Sequence, residues 1–288
     1  MPSLFSHFMI AEAALQRLPG PLAAALRNHG RPYYLGSVAP DFPYFQVLMG
    51  YRGLAMNSQA SAITHHLEET LLHWVGGLPK AGGGAWAAHL HGQGARGLLQ
   101  AWMDQVPEER DGSLRSAGVA AFLMGMLSHV AADESLHPAV EADSGDQMSF
   151  EGRSKHRQIE TELDFRLLCL RQHPGLEVYP ADLAARWVGH PGDEAGFFPP
   201  WLARGLAHCS GIPEKTWAGW AAGFRRGLSL LDHPMSPMMA AQRGASLSAG
   251  LGEGDAYLER HVPEAEAAAA SALASARSPR ALQEGVHA

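Results

Sequence analysis

The stretch from His129 to His137 most constrains what this chain can fold into, because it places polar ligand-type side chains on an apolar helix. The run before it, from Ala117 to Leu127, contains no charged residue. A helix that is apolar nearly all round belongs in the centre of a bundle. His129, Asp133 and His137 follow at i, i+4 and i+8, and residues four apart differ by about 40° around a helix axis. One stripe of a central helix therefore carries two imidazoles and a carboxylate.

A second triplet repeats this spacing, with His156, Glu160 and Asp164 again at i, i+4 and i+8. Imidazole nitrogen and carboxylate oxygen are ligand atoms that zinc accepts, and a buried carboxylate is costly unless it is paired or bound to metal. The two triplets therefore indicate a helical metal site. The alternatives are a His–Asp hydrogen bond in the core for the first triplet and a solvated helix face for the second. Asp164 is interpreted as a group that orients a histidine through its other ring nitrogen.

Three further candidates lie earlier in the chain. Asp41 stands between Pro40 and Pro43, where it is either a ligand or an ordinary turn residue. His65 and His66 are adjacent, so at most one of them can easily face the site of His129. His7 follows Phe5 on an apolar helix face and is either a ligand or a core histidine. These choices stay open at the level of the residues alone.

The rest of the chain predicts an all-α protein. Helix-favouring residues dominate, and alternating β-branched segments are scarce. Gly30 and Pro32 are expected to close the second helix, and Pro138 to end the central one. We expect one multi-helix domain around a buried metal cluster over 1–262, followed by an Ala-rich C-terminal helix or tail over 263–288. The helices are predicted at 4–18, 21–28, 58–75, 85–103, 113–133, 152–172, 181–188, 199–209, 213–232, 235–249 and 263–276. A short helical turn and then a loop that places Asp41 are predicted over 33–45, and a loop is predicted at 141–150.

Composition excludes several classes of protein. The formal net charge is −7 and there is no dense basic run, which argues against binding of long nucleic acid. The two cysteines, Cys169 and Cys209, form neither a disulfide framework nor a CxxC zinc site. Sixteen histidines favour a titrating or metal-binding role. No secretory signal is visible and no apolar run approaches the roughly 20 residues of a membrane span, so a cytoplasmic location is expected.

Five segments together resemble a known family. They are SHFMIAEAAL, LGSVAPDF, HHLEET, GMLSHVAADESLHP and HRQIETELD, and they cover residues 4–164 in order. The set is similar to the zinc-dependent phospholipase C family, which is related to the S1/P1-type nucleases. The most specific part is the GxxxHxxxDxxxHP pattern at 125–138. Residues 170–288 carry no motif of this kind.

The resemblance implies an all-helical fold that binds a cluster of three zinc ions. By motif, the implied ligands are Asp41, His66 (or His65), His129 and Asp133 for one ion, His137, His156 and Glu160 for a second, and His7 with a bridging Asp133 for a third. His66 is preferred because Thr70 follows it as in similar sequences. In secreted members the third metal also takes the amino-terminal nitrogen and carbonyl of the processed chain. No signal to cleave is visible here, so two or three ions are expected, with iron or manganese as alternatives to zinc.

The function implied by the resemblance is hydrolysis of a phosphodiester, with a phospholipid head group as the leading substrate class. Asp133 would bridge two ions, and Asp41 would be a ligand or the base that orients the attacking water. The aromatic residues around Asp41, including Tyr33 and Phe42, either line the pocket or simply pack. The expected partner is a small phosphodiester or phospholipid, with transient membrane contact left open and the oligomeric state not predicted.

Two other functions remain open at this stage. A nucleotide or nucleic-acid phosphodiesterase would use the same metals, and a non-catalytic protein could use the metal to stabilise a binding fold. Two helical metal-protein classes fit poorly. The chain has no His-Asp dipeptide of the HD-type phosphohydrolases. Within residues 4–164, Glu134 to His137 is the one Glu-x-x-His pair, whereas a ferritin-like site needs two.

Overall fold

The computed structural model describes residues 4–43, 90–91, 96–98, 100, 114–146, 149, 152, 155–156, 159–160, 162–164, 166–167, 180–231 and 260–276. Every regular element over these residues is a helix, which confirms the all-α prediction. None of the described helices combines the length and the hydropathy that a membrane span requires.

Nine α-helices have bounds within the described residues. They are α1 Leu4–Arg17, α2 Gly20–Asn28, α3 Gly30–Gly36, α4 Leu114–Ser144, α5 Pro180–Val188, α6 Glu194–Phe197, α7 Pro200–Ser210, α8 Glu214–Leu231 and α9 Val262–Ser275, with a 3-10 turn at Ala39–Asp41 between α3 and α4. The helices predicted at 4–18, 21–28, 181–188, 199–209, 213–232 and 263–276 are therefore confirmed to within two residues at each end. The described positions between 152 and 167, called the His156 segment below, are also helical. The predicted helices at 58–75 and 235–249 lie outside the described residues, as does most of 85–103.

Helix α4 is the centre of the fold, as its composition predicted. It packs against α1, α3, α7 and α9, and side chains such as Phe122 and Met124 are completely buried. The prediction that Pro138 ends this helix, with a loop from 141, was wrong, because α4 continues to Ser144. Proline removes one backbone hydrogen bond, but Leu136 and Val140 on either side of it are buried in the core, and that packing holds the helix through the proline.

The second helix ends before Gly30, as predicted, but Gly30 and Pro32 are themselves part of the next helix. Helix α2 ends at Asn28 and α3 begins immediately at Gly30, with Pro32 in its first turn. The first-turn N–H groups of a helix have no intrahelical acceptor, so a proline there loses nothing. The proline that looked like a terminator therefore lies in the first turn of a short helix that leads towards Asp41.

Helices α3 and α4 approach each other closely at two glycines. A Cβ atom on Gly36 would overlap the carbonyl oxygen of Phe122, and one on Gly125 would overlap the carbonyl oxygen of Tyr33. Only hydrogen fits between the two backbones at these points. This approach places the residue after Gly36 beside the polar stripe of α4.

The C-terminal helix α9 packs against both α1 and α4. Val262 and Ala265 are fully buried, and Arg17 of α1 donates to Glu266 at 2.6 Å. The Ala-rich segment is thus a packed helix over 262–275. The division of the chain into 1–262 and 263–288 remains a prediction.

We predict that Gly125→Ala lowers the free energy of unfolding by about 2 kcal/mol or more, because the new methyl group forces the two helix backbones apart. Gly219→Ala in α8 is the matched control. No atom lies within 4 Å of its Cβ position, so the same substitution should raise stability by roughly 0.5–1 kcal/mol. Urea unfolding followed by circular dichroism measures both, and equal stability of Gly125→Ala and the natural protein would contradict the close approach.

Candidate metal centre

Donor side chains from several separate elements converge on one place beside α4. Helix α1 carries His7, the 3-10 turn carries Asp41, and α4 carries the stripe of His129, Asp133 and His137. The remaining members are His91 and, from the His156 segment, His156 and Glu160. Five imidazoles and three carboxylates are thus brought together.

Asp133 lies in the middle of this set, and its two oxygens face different histidines. Oδ2 lies 3.2 Å from Nε2 of His129 and 3.5 Å from Nε2 of His91. Oδ1 lies 3.3 Å from Nε2 of His7 and 3.5 Å from Nε2 of His137. A carboxylate with ligand-type nitrogens on both sides is suited to bridge two cations.

One group of donors forms on the side of Asp41. Oδ1 of Asp41 lies 3.1 Å from Nε2 of His91, and the Nε2 atoms of His91 and His129 are 3.2 Å apart. The ring of His7 stacks on that of His129, with centroids 3.8 Å apart. Two overlapping triplets here have donor atoms within 4.8 Å of one another, namely His7–Asp41–His129 and His91–His129–Asp133.

A second group forms further along α4. Oε1 of Glu160 lies 3.2 Å from Nε2 of His156 and 3.5 Å from Nε2 of His137, and these three residues form a third such triplet. His137 is therefore placed between two carboxylates, Glu160 and Asp133. The two groups meet at Asp133.

The orientation of His129 is set from the other side of its ring. Its Nδ1–H donates to the carbonyl oxygen of Ser37 at 2.9 Å, since a carbonyl can only accept. A neutral His129 then presents the lone pair of Nε2 to the site, which is the usual way in which an outer hydrogen bond selects the tautomer of a metal ligand. Ser37 follows Gly36, so the close backbone approach at the glycines is what delivers this carbonyl.

The charges at the centre shift the pKa values of its members. Burial alone would raise the pKa of Asp133, but His129 and His7 outweigh it and hold that pKa well below its usual range. Burial lowers the pKa of His129, and the neighbouring His7 lowers it further. For His7 the effect of burial is outweighed by Asp133, so its pKa is raised. Without metal, the pKa values of the two stacked imidazoles are therefore shifted in opposite directions, upwards for His7 and downwards for His129.

The pKa values of His137 and Glu160 in the second group of donors are shifted as well. Burial would lower the pKa of His137, but the hydrogen bond to Glu160 and the charge of Asp133 raise it to about 9. Burial would raise the pKa of Glu160, but hydrogen bonds from His137 and His156 lower it to about 2. These shifts describe an ion pair at neutral pH in the metal-free protein.

The donor set fits divalent cations better than it fits a network of hydrogen bonds. Nε2 of His91 can carry at most one hydrogen, yet acceptor atoms of Asp41, His129 and Asp133 all lie within 3.5 Å of it. The Nε2 lone pair of His129 faces a carboxylate oxygen 3.2 Å away. Cations between these Nε2 and carboxylate oxygen atoms would satisfy the excess of lone pairs.

The residues that the sequence predicted can now be placed. His7, Asp41, His129, Asp133, His137, His156 and Glu160 all lie in this one cluster. His65 and His66 lie outside the described residues. Asp164 lies beside the cluster and hydrogen-bonds to the start of α1, and the aromatic residues Tyr33 and Phe42 are fully buried packing residues.

His91 is the member of the cluster that sequence reasoning missed. It has no acidic residue four positions before or after it, and Gly92 follows it directly, so no helical stripe marks it. The excess of histidines was the one signal available. Its place depends on a fold that brings it next to residues 41, 129 and 133.

The comparison with known proteins agrees with this geometry. The family model for zinc-dependent phospholipase C matches residues 6–191, which is well over half of the chain. The chain belongs to the zinc-dependent phospholipase C family. Searches of curated proteins and of solved structures each found no match.

We predict that His137 stabilises the metal-free protein less as the pH rises. Its folded pKa of about 9 lies above its ordinary 6.5, so its contribution is complete below about pH 6.5 and is lost as the pH rises through about 9. Urea unfolding of chelator-treated protein gives the difference in free energy of unfolding between the natural protein and His137→Gln. This difference should be smaller at pH 10 than at pH 6. The same substitution at the exposed His208 is the control, and an advantage of His137 that does not change with pH would contradict the pairing.

Proposed function

We propose that this protein is a metal-dependent phosphodiester hydrolase of the phospholipase C type. The observation that carries the proposal is Asp133, whose Oδ2 faces His129 and His91 while its Oδ1 faces His7 and His137. Membership of the zinc-dependent phospholipase C family makes zinc the leading cation, in two or three copies, with iron or manganese as substitutes.

The proposed ligand sets follow the contacts. Asp41, His91, His129 and Asp133 would hold one ion. His137, His156 and Glu160 would hold a second. His7 and Asp133 would hold a third. In this proposal we assign to His91 the ligand role beside Asp41 and His129 that the resemblance implied for His66 or His65.

When bound, such ions supply a water molecule of lowered pKa and positive charge for the phosphoryl oxygens. The residues of the chain hold that chemistry in place. Asp133 fixes the distance between the two groups, and the Ser37 carbonyl keeps the Nε2 lone pair of His129 directed into the site. Asp41 is 2% exposed, and its Oδ1 contacts Nε2 of His91. We assign its other oxygen as the acceptor that orients the attacking water.

The substrate class that we propose is the phosphodiester of a phospholipid head group. A net charge of −7 disfavours long polyanions, so nucleic acid is the weaker alternative, although a nucleotide diester carries too little charge to be rejected on this ground. Head-group release from phosphatidylcholine vesicles, compared with hydrolysis of a cyclic nucleotide and of bis-p-nitrophenyl phosphate, separates these substrates.

We predict that Asp133→Asn lowers both metal content and phosphodiester hydrolysis, with a loss of rate of about 100-fold or more. The amide keeps the shape of the side chain but removes the bridging charge. Element analysis of the purified protein, alongside the vesicle and model-diester assays, measures both quantities.

Glu134→Gln is the matched control for this test. Glu134 is the next residue on α4, about half exposed and paired with Arg96 at 2.6 Å on the surface, so its loss should change neither quantity. Fewer than two zinc, iron or manganese equivalents per natural chain would overturn the cluster. A full complement of metal without hydrolysis of any of these substrates would overturn the enzyme in favour of a metal-stabilised binding protein.

We further predict that His91→Ala removes about one metal equivalent per chain, because three donor atoms of the first group surround its Nε2. Element analysis should show no such loss for His65→Ala, His66→Ala or the exposed His208→Ala. Loss of metal in His66→Ala or His65→Ala, with His91→Ala unaffected, would return the ligand role to that pair.

A further inference from the structure

Asp164 is a buried carboxylate that accepts hydrogen bonds from the start of α1. It is 3% exposed. Its Oδ2 accepts from the backbone N–H of Phe5 at 3.1 Å, and its Oδ1 accepts from both the backbone N–H and the hydroxyl of Ser6, each at 2.7 Å. All three donors belong to the first turn of α1.

This arrangement caps a helix with a carboxylate from a distant part of the chain. The first N–H groups of a helix lack intrahelical acceptors, and negative charge is favoured at that end by the helix dipole. Hydrogen bonds to an ionised acceptor are stronger than neutral ones. Asp164 is 158 residues away from Ser6 along the chain, so it links α1 to the His156 segment.

The cap acts on the residue next to His7. Because Ser6 precedes His7, the hydrogen bonds to Ser6 set where the His7 backbone lies. His7 then reaches Oδ1 of Asp133 at 3.3 Å and stacks on His129. A small shift of the first turn of α1 would break both contacts.

The same segment also supports the second group of donors. Glu160 lies one helical turn before Asp164 and contacts His137 and His156. Residues four apart share one face of a helix. One face of the His156 segment thus reaches the second donor group through Glu160 and α1 through Asp164.

We propose that Asp164 is a positioning residue, which holds His7 against Asp133 by capping α1 and thereby supports the cation bound between those two side chains. The proposal rests on the metal site of the proposed function. It assigns to Asp164 an effect on metal affinity that passes through His7, which a contribution to folding alone would not produce.

A double-mutant cycle on zinc affinity tests this route. The proteins are the natural chain, Asp164→Asn, His7→Ala and the double variant, each titrated with zinc against a chromophoric chelator. Asp164→Asn should weaken the most affected zinc site about tenfold, the size typical of an outer hydrogen-bond partner. In the His7→Ala background the same substitution should cause no further loss.

Two other variants keep the test decisive. Glu141→Gln removes a carboxylate from an exposed position of α4 and should leave zinc affinity unchanged. Ser6→Ala removes one of the three hydrogen bonds and replaces Asp164→Asn in the cycle if that variant does not fold by circular dichroism. It should weaken zinc binding in the same direction and, again, only when His7 is present.

The outcomes separate this proposal from the one on which it rests. Unchanged zinc affinity in folded Asp164→Asn, or an equal loss with and without His7, would overturn the positioning role while leaving the metal site standing. A natural chain that binds no zinc, iron or manganese would overturn both proposals.

Discussion

The structure depends on one buried carboxylate in an apolar helix. Asp133 is the last residue of the continuously buried run 117–133 of α4, where an ionised group is stable only if it is compensated. Imidazoles on both sides of it supply that compensation, and cations would supply more. The elements that bring His7, His91 and Asp41 beside Asp133 therefore serve one electrostatic requirement, which is to compensate the buried charge at this place.

Close backbone packing supports that centre from one side. Gly36 and Gly125 let α3 and α4 touch without intervening side chains, and the Ser37 carbonyl consequently reaches His129. The two glycines thus support the metal centre without supplying a donor atom to it. The energy of that hydrogen bond is modest, but it decides which nitrogen of His129 faces the donors.

The His156 segment supports the centre from the other side. Its two acidic residues have different partners, since Glu160 contacts the histidines and Asp164 hydrogen-bonds to the start of α1. His156 and Glu160 of the second triplet thus lie among the donor atoms, whereas Asp164, interpreted from the sequence as a group that orients a histidine, caps α1. Because Glu160 and Asp164 share one helix face, the His156 segment contacts both the second donor group and α1. It thereby holds donors from distant parts of the chain in place.

The sequence by itself determined what is local. The i, i+4, i+8 spacings, the apolar run of α4 and most helix bounds follow from helical periodicity and were confirmed. The sequence could not show that Pro138 lies inside a helix, because burial of Leu136 and Val140 decides that. Nor could it show that His91 joins Asp41, or that Asp164 caps α1. Those pairs are 50 and 158 residues apart, and only tertiary packing, which no short-range pattern encodes, sets such distances.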